Sequence, residues 1–400
     1  MFDFNTNEGY FLHLLKCGLK TEKPEEPPVG IDFEAIFELA KKQDVENIVF
    51  LSIDQLENNI DSNLYSIWQE AYYKRMKYLA FQDMALEELI EVFTKAGIDC
   101  MPLKGSVIKN YYPSPDLRCM GDIDFLVREQ NRQVVRDIMH SLGYEDDLLD
   151  DGQVDSFRRS KLEYIEVHYD FSAKNHVMHK VFTIDWDKLV PNGTPHLFKQ
   201  TFEDLYFFNM GHYVKNMHNK GMGLRGIVDT FVLWNRLSDD EQVSLINRFE
   251  EIGINDFNSK LVKISDIWFN DAKDDGSLNN LQEYLVNKKT YKYIKNADIF
   301  VCSSHKEGYS TAVTEALILG VPIISTNVSG AIELINNGCG CVVSRFNPEQ
   351  DLYDEIKRAI VDGISLKEYK KQAILRGEQI SPERSIEACT NLFDKLLKEK

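Results

Sequence analysis

The chain reads as an α/β protein: an α+β core with flanking helices, followed by a partial parallel α/β module. Three observations predict this. Apolar residues recur at helical spacing up to about residue 96. Between residues 98 and 171, short apolar runs alternate with helical ones. From residue 298 onward the order becomes strand, helix, strand, helix, which implies parallel pairing.

The first region, residues 1–96, is expected to be helical. An amphipathic piece at 10–19 leads into the spacer TEKPEEPP, which reads as a loop. Asp32 can cap the next helix, where Phe33, Ile36, Phe37 and Ala40 fall at helical spacing. A long helix follows from Trp68 and ends at Gly97 as its C-cap, with Tyr72, Tyr73, Tyr78 and Phe81 expected to pack in the core. An α/β core is expected over 97–190. It comprises a strand at 98–103, a helix from Gly105, a strand through Asp122 and Asp124, and a helix at 130–142. The stretch EDDLLDDGQ reads as a polar loop, and KLEYIEVHYDF at 161–171 as another strand. Residues 191–286 return to helix, with His212, Arg225 and Asp229 set in apolar repeats. His212 and His218 lack the spacing of ligands on one helix face and read as core or interface histidines. Residues 291–400 form the last module.

Bulk properties bound the function. The 400 residues suffice for two or three domains, and 43% hydrophobic with 28% charged residues is an ordinary globular balance. A formal charge of −18 argues against broad binding to nucleic acid or anionic lipid. Seven scattered cysteines suggest reduced thiols rather than a disulfide framework. The N-terminal stretch lacks the apolar core of a signal peptide, and no run reaches the length of a membrane span, so a cytoplasmic protein is expected.

The chemistry concentrates in LKGSVIKNYYPSPDLRCMGDIDFLV, residues 103–127. On a strand Asp122 and Asp124 point the same way, and two adjacent carboxylates repel unless a cation lies between them. Mg²⁺ is the natural candidate, being held by one or two carboxylates plus substrate phosphates. Gly105 and Ser106 at a helix start offer free N–H groups to a phosphate. A lone D-x-D also suits a solvated strand end. In the strand at 161–171, Glu166, His168 and Asp170 share one face, and Glu166 is the choice for a third metal carboxylate. An edge strand with a polar solvent face fits the same alternation.

These motifs resemble the bacterial nucleotidyltransferase-like family of the DNA polymerase beta superfamily. The resemblance runs from about residue 10 to 286. It rests on the helix at 32–40, Leu103-Lys104-Gly105, Tyr112-Pro113, Arg118, Asp122/Asp124, Glu166-Val167-His168, and the helical region around His212 and Asp229. It implies that Asp122, Asp124 and Glu166 hold Mg²⁺. It also implies that Gly105 and Ser106, with Lys104 or Arg118 nearby, contact the phosphates of an NTP.

The tail ADIFVCSSHKEGYSTAVTEALILGVPIISTNVSGAIELI resembles a different family, the donor-binding half of a retaining glycosyltransferase of the two-Rossmann type. That resemblance gives Glu307 a contact to a donor sugar, with Gly308 beside it, and Glu315 a contact to the ribose of a nucleotide-sugar. The amides of Ser310 and Thr311 would face the diphosphate. An acceptor domain and a first half of the donor domain with its glycine loop are not found in the sequence.

Three functions follow as expectations. The first is a Mg²⁺-dependent nucleotidyltransferase that transfers to an unknown hydroxyl acceptor and carries a truncated glycosyltransferase module. The second is a glycosyltransferase working through the tail, and the third a non-catalytic binding protein. Surface-polysaccharide assembly is the expected setting of the first two.

Overall fold

The computed structural model describes residues 2–56, 60–149, 153–160, 162–170, 185–219, 222–287, 294, 296–304, 310–335, 338–344, 347–361 and 363–380. The chain divides into two compact units, Met1–Asn287 and Lys288–Lys400.

The first unit opens with α1 (Asn7–Lys20), α2 (Phe33–Lys42), α3 (Glu46–Ile53) and the long α4 (Ser62–Lys95). Asp32 caps α2 as expected, its carboxylate accepting from the amides of Glu34 and Ala35. Beyond α4, Gly97 adopts φ +71°, the left-handed conformation that suits glycine after a helix. The aromatic stripe of α4 is corrected in part: Tyr72 packs against Phe50 and the helical core as expected, while two others do not. Tyr73 is 61% and Phe81 41% exposed, whereas Trp68, Leu79, Ala85, Leu89 and Phe93 form the buried face. Aromatic residues on both sides of α4 leave its inner face undecided by composition, and the packing partners select Trp68 and Phe93 rather than Tyr73 and Phe81.

That sheet carries β1 (Cys100–Pro102), β2 (Ile123–Val127), β3 (Glu145–Leu149), β4 (Val154–Arg158) and β5 (Tyr164–His168). The single-turn helix α5 (Gly105–Ile108) follows β1, and α6 (Arg132–Ser141) follows β2. Strand order is β1-β2-β5-β4-β3; β2 and β5 run parallel, and the other pairs are antiparallel. The segment read as the polar loop EDDLLDDGQ is therefore the edge strand β3 over most of its described length. Acidic residues are poor strand formers in isolation, but an edge strand with solvent-facing side chains tolerates them.

Strand alternation sorts the side chains. Ile123, Phe125, Val127, Ile165 and Val167 join Ala85, Leu89 and Phe93 of α4 and Val135 and Met139 of α6 in one core. Phe93 meets Phe125 edge to face with ring centroids 5.6 Å apart. Each such buried side chain contributes roughly 1.5–3 kcal/mol. The intervening residues Asp124, Glu166 and His168 are thereby turned to the opposite face of the sheet.

A short ribbon of β6 (Val190–Pro191) and β7 (Phe198–Lys199) leads to α7 (Phe202–Asn219), α8 (Leu224–Trp234), α9 (Asp239–Glu251), α10 (Asn255–Phe269) and α11 (Asn279–Asn287). These helices share one continuous apolar core with α1, α2 and α3, so the two helical stretches that flank the sheet in sequence are a single layer in space. Among the described residues, no helix is long and apolar enough to cross a membrane. The described cysteines are free thiols, and Cys17, Cys100, Cys119, Cys302 and Cys339 are buried.

The second unit holds β8 (Phe300–Cys302), β9 (Ile323–Ser325) and β10 (Gly340–Val342) in a parallel sheet of order β10-β9-β8. The helix Thr311–Ile318 crosses between β8 and β9, and Ser310 caps it by accepting from the Val313 amide. Gly340 is required by close approach. A Cβ there would lie 1.9 Å from the Ile323 carbonyl oxygen. This is the expected α/β arrangement, an α+β domain with flanking helices and a separate Rossmann-like part.

Candidate functional site

Parallel pairing of β2 and β5 sets Asp124 opposite Glu166 and Leu126 opposite His168. Asp124 and Glu166 stand abreast, and His168 follows two residues along the same face. The His168 Nε2 lies 2.8 Å from Asp124 Oδ1 and 3.4 Å from Glu166 Oε2. One ligand atom from each of Asp124, Glu166 and His168 falls within 4.8 Å of the others, close enough for a single cation. Asp122 lies outside this trio, just ahead of β2. Of the set expected from sequence, the strand register brings Asp124 and Glu166 together and adds His168, while Asp122 stays close enough to feel the charges of both carboxylates.

Lys104 completes the cluster from the other side. Its ammonium donates to Asp124 Oδ1 at 2.6 Å. The Leu103 amide donates to the Asp124 carbonyl at 2.9 Å, which ties this turn to β2. Lys104 takes φ 48° and ψ −122°, a conformation unusual for a residue with a side chain. Such strain costs of order 1–3 kcal/mol and collects at functional sites.

The electrostatics follow from this packing. Burial disfavours the Asp124 carboxylate, but the Lys104 ammonium and the His168 hydrogen bond outweigh it and hold the group well below the usual aspartate range. Burial likewise opposes charge on Lys104 and His168, and the facing carboxylates overcome it in both, raising each above its ordinary value. Asp122 goes the other way. Burial and the Asp124 charge push it up to about 6.

The seat at Gly105 differs from the expectation. Helix α5 has only four residues, so its dipole is slight. Gly105 is closely packed, since a Cβ there would lie 3.0 Å from the side-chain atoms Arg118 Nη1 and Met120 Cγ, which would have to shift. Ser106 remains a candidate. It is 3% exposed, and its hydroxyl has no hydrogen-bond partner among the described residues.

Arg118, expected beside a phosphate, is committed elsewhere. Its Nε and Nη2 donate to the two oxygens of Asp229 at 3.2 and 2.9 Å, and its Nη1 to the Cys119 carbonyl at 2.9 Å. The hydroxyls of Tyr112 and Tyr213 also donate to Asp229, each at 2.5 Å. Arg118 therefore braces the motif loop against α8. Arg225, one turn before Asp229, donates to the Cys119 carbonyl at 3.1 Å and offsets part of the negative field on Asp122. His168 was legible as a face-mate of Glu166 in the alternation. No local pattern pairs Arg118 with Asp229.

In the second unit, Ser310 is buried at its cap, Thr311 opens the helix, and Glu315 is exposed on it. Glu307 and Gly308 lie outside the described residues.

The family described as "Uncharacterised nucleotidyltransferase" matches residues 30–270. The chain belongs to that family. The match spans the strands, the brace and the acidic cluster of this nucleotidyltransferase domain, as the sequence resemblance implied. "Glycosyl transferases group 1" matches residues 278–376, again as the resemblance implied. Two curated relatives are similar to part of the chain. The "Capsular polysaccharide biosynthesis glycosyltransferase CapM" of Staphylococcus aureus is 30% identical over 119 residues, covering 28% of this chain and 31% of the relative. The "N,N'-diacetylbacillosaminyl-diphospho-undecaprenol alpha-1,3-N-acetylgalactosaminyltransferase" of Campylobacter jejuni is 27% identical over 105 residues, covering 26% and 28%. The chain thus spans about three tenths of the length of these relatives. The chain thus carries a domain of the nucleotidyltransferase family and a segment matching the glycosyl transferases of group 1.

Proposed function

We propose that the first unit transfers a nucleotidyl group from an NTP to a hydroxyl acceptor, with a divalent cation, Mg²⁺, at the acidic cluster. The observation that carries this reading is the Asp124 carboxylate, held ionised between Lys104 and His168 and opposite Glu166. Asp124 and Glu166 would hold the ion, with Asp122 beside them. The bound ion would neutralise phosphate charge and polarise the α-phosphate. Lys104, anchored on Asp124, stands ready to meet phosphate oxygens, and the unpartnered Ser106 hydroxyl can donate to one. Arg118, through Asp229, fixes the loop that carries Gly105 and the acidic pair. The acceptor hydroxyl would attack the α-phosphate in line, with pyrophosphate leaving. Free thiols and an NTP donor suit a cytoplasmic setting.

The test is equilibrium binding of each of the four NTPs with Mg²⁺ to the full chain and to its Asp124→Asn variant. At least one NTP is expected to bind in a manner lost in the variant. Binding by none, or binding indifferent to Asp124, would discard the reading.

A second reading rests on the glycosyltransferase match and on the two relatives, whose names place one of them in capsular polysaccharide biosynthesis. In it, the second unit uses a nucleotide-sugar through Glu307 and Glu315, in surface-polysaccharide assembly. Sugar release from UDP- or GDP-sugars that disappears in Glu307→Ala is its expected signature.

A further inference from the structure

We propose that His168 is itself a ligand of the cation, and that its ring nitrogen tunes the site to a first-row transition-metal dication, Mn²⁺ ahead of Mg²⁺. This rests on the reading that Asp124 and Glu166 hold a cation, and it names the ion and the donor set. Three features support it.

First, a single atom, His168 Nε2, is aimed at both carboxylates, at 2.8 Å from one and 3.4 Å from the other. Protonated, this nitrogen donates to Asp124; without that proton, its lone pair would face the same two carboxylates. Second, Asp124 needs no second counter-charge. Lys104 already meets the same Oδ1 at 2.6 Å, and His168 reaches past it to Glu166, so Asp124, Glu166 and His168 form one shared donor set. Third, the Ser106 hydroxyl, 3% exposed on the turn that carries Lys104, has no hydrogen-bond partner among the described residues and is free to meet a ligand.

The donor chemistry then decides the ion. Mg²⁺ favours an all-oxygen octahedron and keeps most of its waters. Two carboxylates plus a neutral imidazole suit Mn²⁺ and the later first-row dications better, and the neutral ring is the commonest protein ligand for such metals. His168 binds the ion in its Nδ1–H tautomer, which leaves the Nε2 lone pair free. Lys104 and the ion compete for Asp124 Oδ1, so metal entry releases the ammonium toward an incoming phosphate.

The test uses the full chain, stripped of metal and free of nucleotide, titrated with MnCl₂ and followed by electron paramagnetic resonance. One saturable site is expected, whose Mn²⁺ is displaced only by a large excess of Mg²⁺. Spin-echo modulation from an imidazole ¹⁴N on the bound Mn²⁺ is expected in the unmutated protein, a readout that needs no variant to fold. His168→Ala is expected to weaken Mn²⁺ binding by about 10–100-fold. His168→Asp should restore binding while abolishing the preference over Mg²⁺. Absence of nitrogen coupling, or displacement by an equal concentration of Mg²⁺, would overturn the proposal. Asp124-dependent NTP binding without nitrogen coupling would leave the nucleotidyl-transfer reading standing while this one falls; nitrogen coupling without NTP binding would do the reverse.

Discussion

Arg118 and Asp229, 111 residues apart in the chain, form a bidentate ion pair with Asp229 wholly buried. Asp229 also accepts from Tyr112 and Tyr213, so both of its oxygens are doubly satisfied. The pair joins the helical layer to the loop that feeds the acidic strand.

Breaking one side of this pair leaves a buried charge unmet. Arg118→Ala and Asp229→Ala are each expected to cost about 3–5 kcal/mol in urea unfolding. The double variant should lose clearly less than the sum of the two. Strict additivity would mean that the residues act separately.

The pair also sets an acid limit. Burial opposes the Asp229 charge, but Arg118 and the hydrogen bonds hold the group below the ordinary aspartate value. A depressed folded value gives stability that is complete above the unfolded value of about 4 and fades as pH falls toward the folded one. Unfolding free energies measured from pH 6 downward should therefore decline more steeply in the parent than in an Arg118→Met/Asp229→Leu variant.

Asp122 predicts the opposite slope. Its folded value of about 6 lies above the unfolded one, so the folded state carries the extra proton between roughly pH 4 and 6. Its contribution therefore falls as pH rises through that window. In the presence of a chelator, Asp122→Asn should stabilise the protein by about 1–3 kcal/mol at pH 7.5 and by much less at pH 4.5. Equal effects at both values would show that Asp122 is not strained by its neighbours.

Lys104 offers a backbone test. Its φ of 48° favours glycine, so Lys104→Gly should be more stable than Lys104→Ala by about 1 kcal/mol, against the usual order for these residues. Both variants lose the ion pair to Asp124, so the comparison isolates the main chain. Thermal unfolding of the two proteins side by side decides it.

Gly340→Ala would drive a methyl group into the Ile323 carbonyl at the centre of the small parallel sheet. Destabilisation of the second unit by about 3 kcal/mol or more is expected, read as faster proteolytic cleavage after residue 288.

Much of the fold was legible in sequence wherever short-range chemistry decides the outcome. The Asp32 cap, the left-handed Gly97 and the parallel alternation after residue 298 all express local rules. The pairing of Glu166 with His168 on one face follows from a strand period of two. What escaped was set by partners distant in sequence. The acidic β3 is a strand because β4 pairs with it, and α4 presents Trp68 and Phe93 inward because other elements choose that face. Arg118 looked like a phosphate ligand because its acidic partner sits on a helix that no nearby motif announces. His168 joins Asp124 and Glu166 because register between two strands, not proximity in sequence, selects which side chains meet.

The parallel neighbours β2 and β5 carry a consequence in time. Asp124 and His168 are 44 residues apart, and a helix and an antiparallel hairpin intervene. Parallel strands cannot be joined by a tight turn, so β2 and β5 meet only once that whole excursion has closed. A chain emerging from the ribosome exposes Asp122 and Asp124 well before Glu166 and His168 exist to oppose them. Lys104, twenty residues upstream of Asp124, is already made by then, so the nascent acidic strand can be neutralised from its own N-terminal side before Glu166 and His168 arrive.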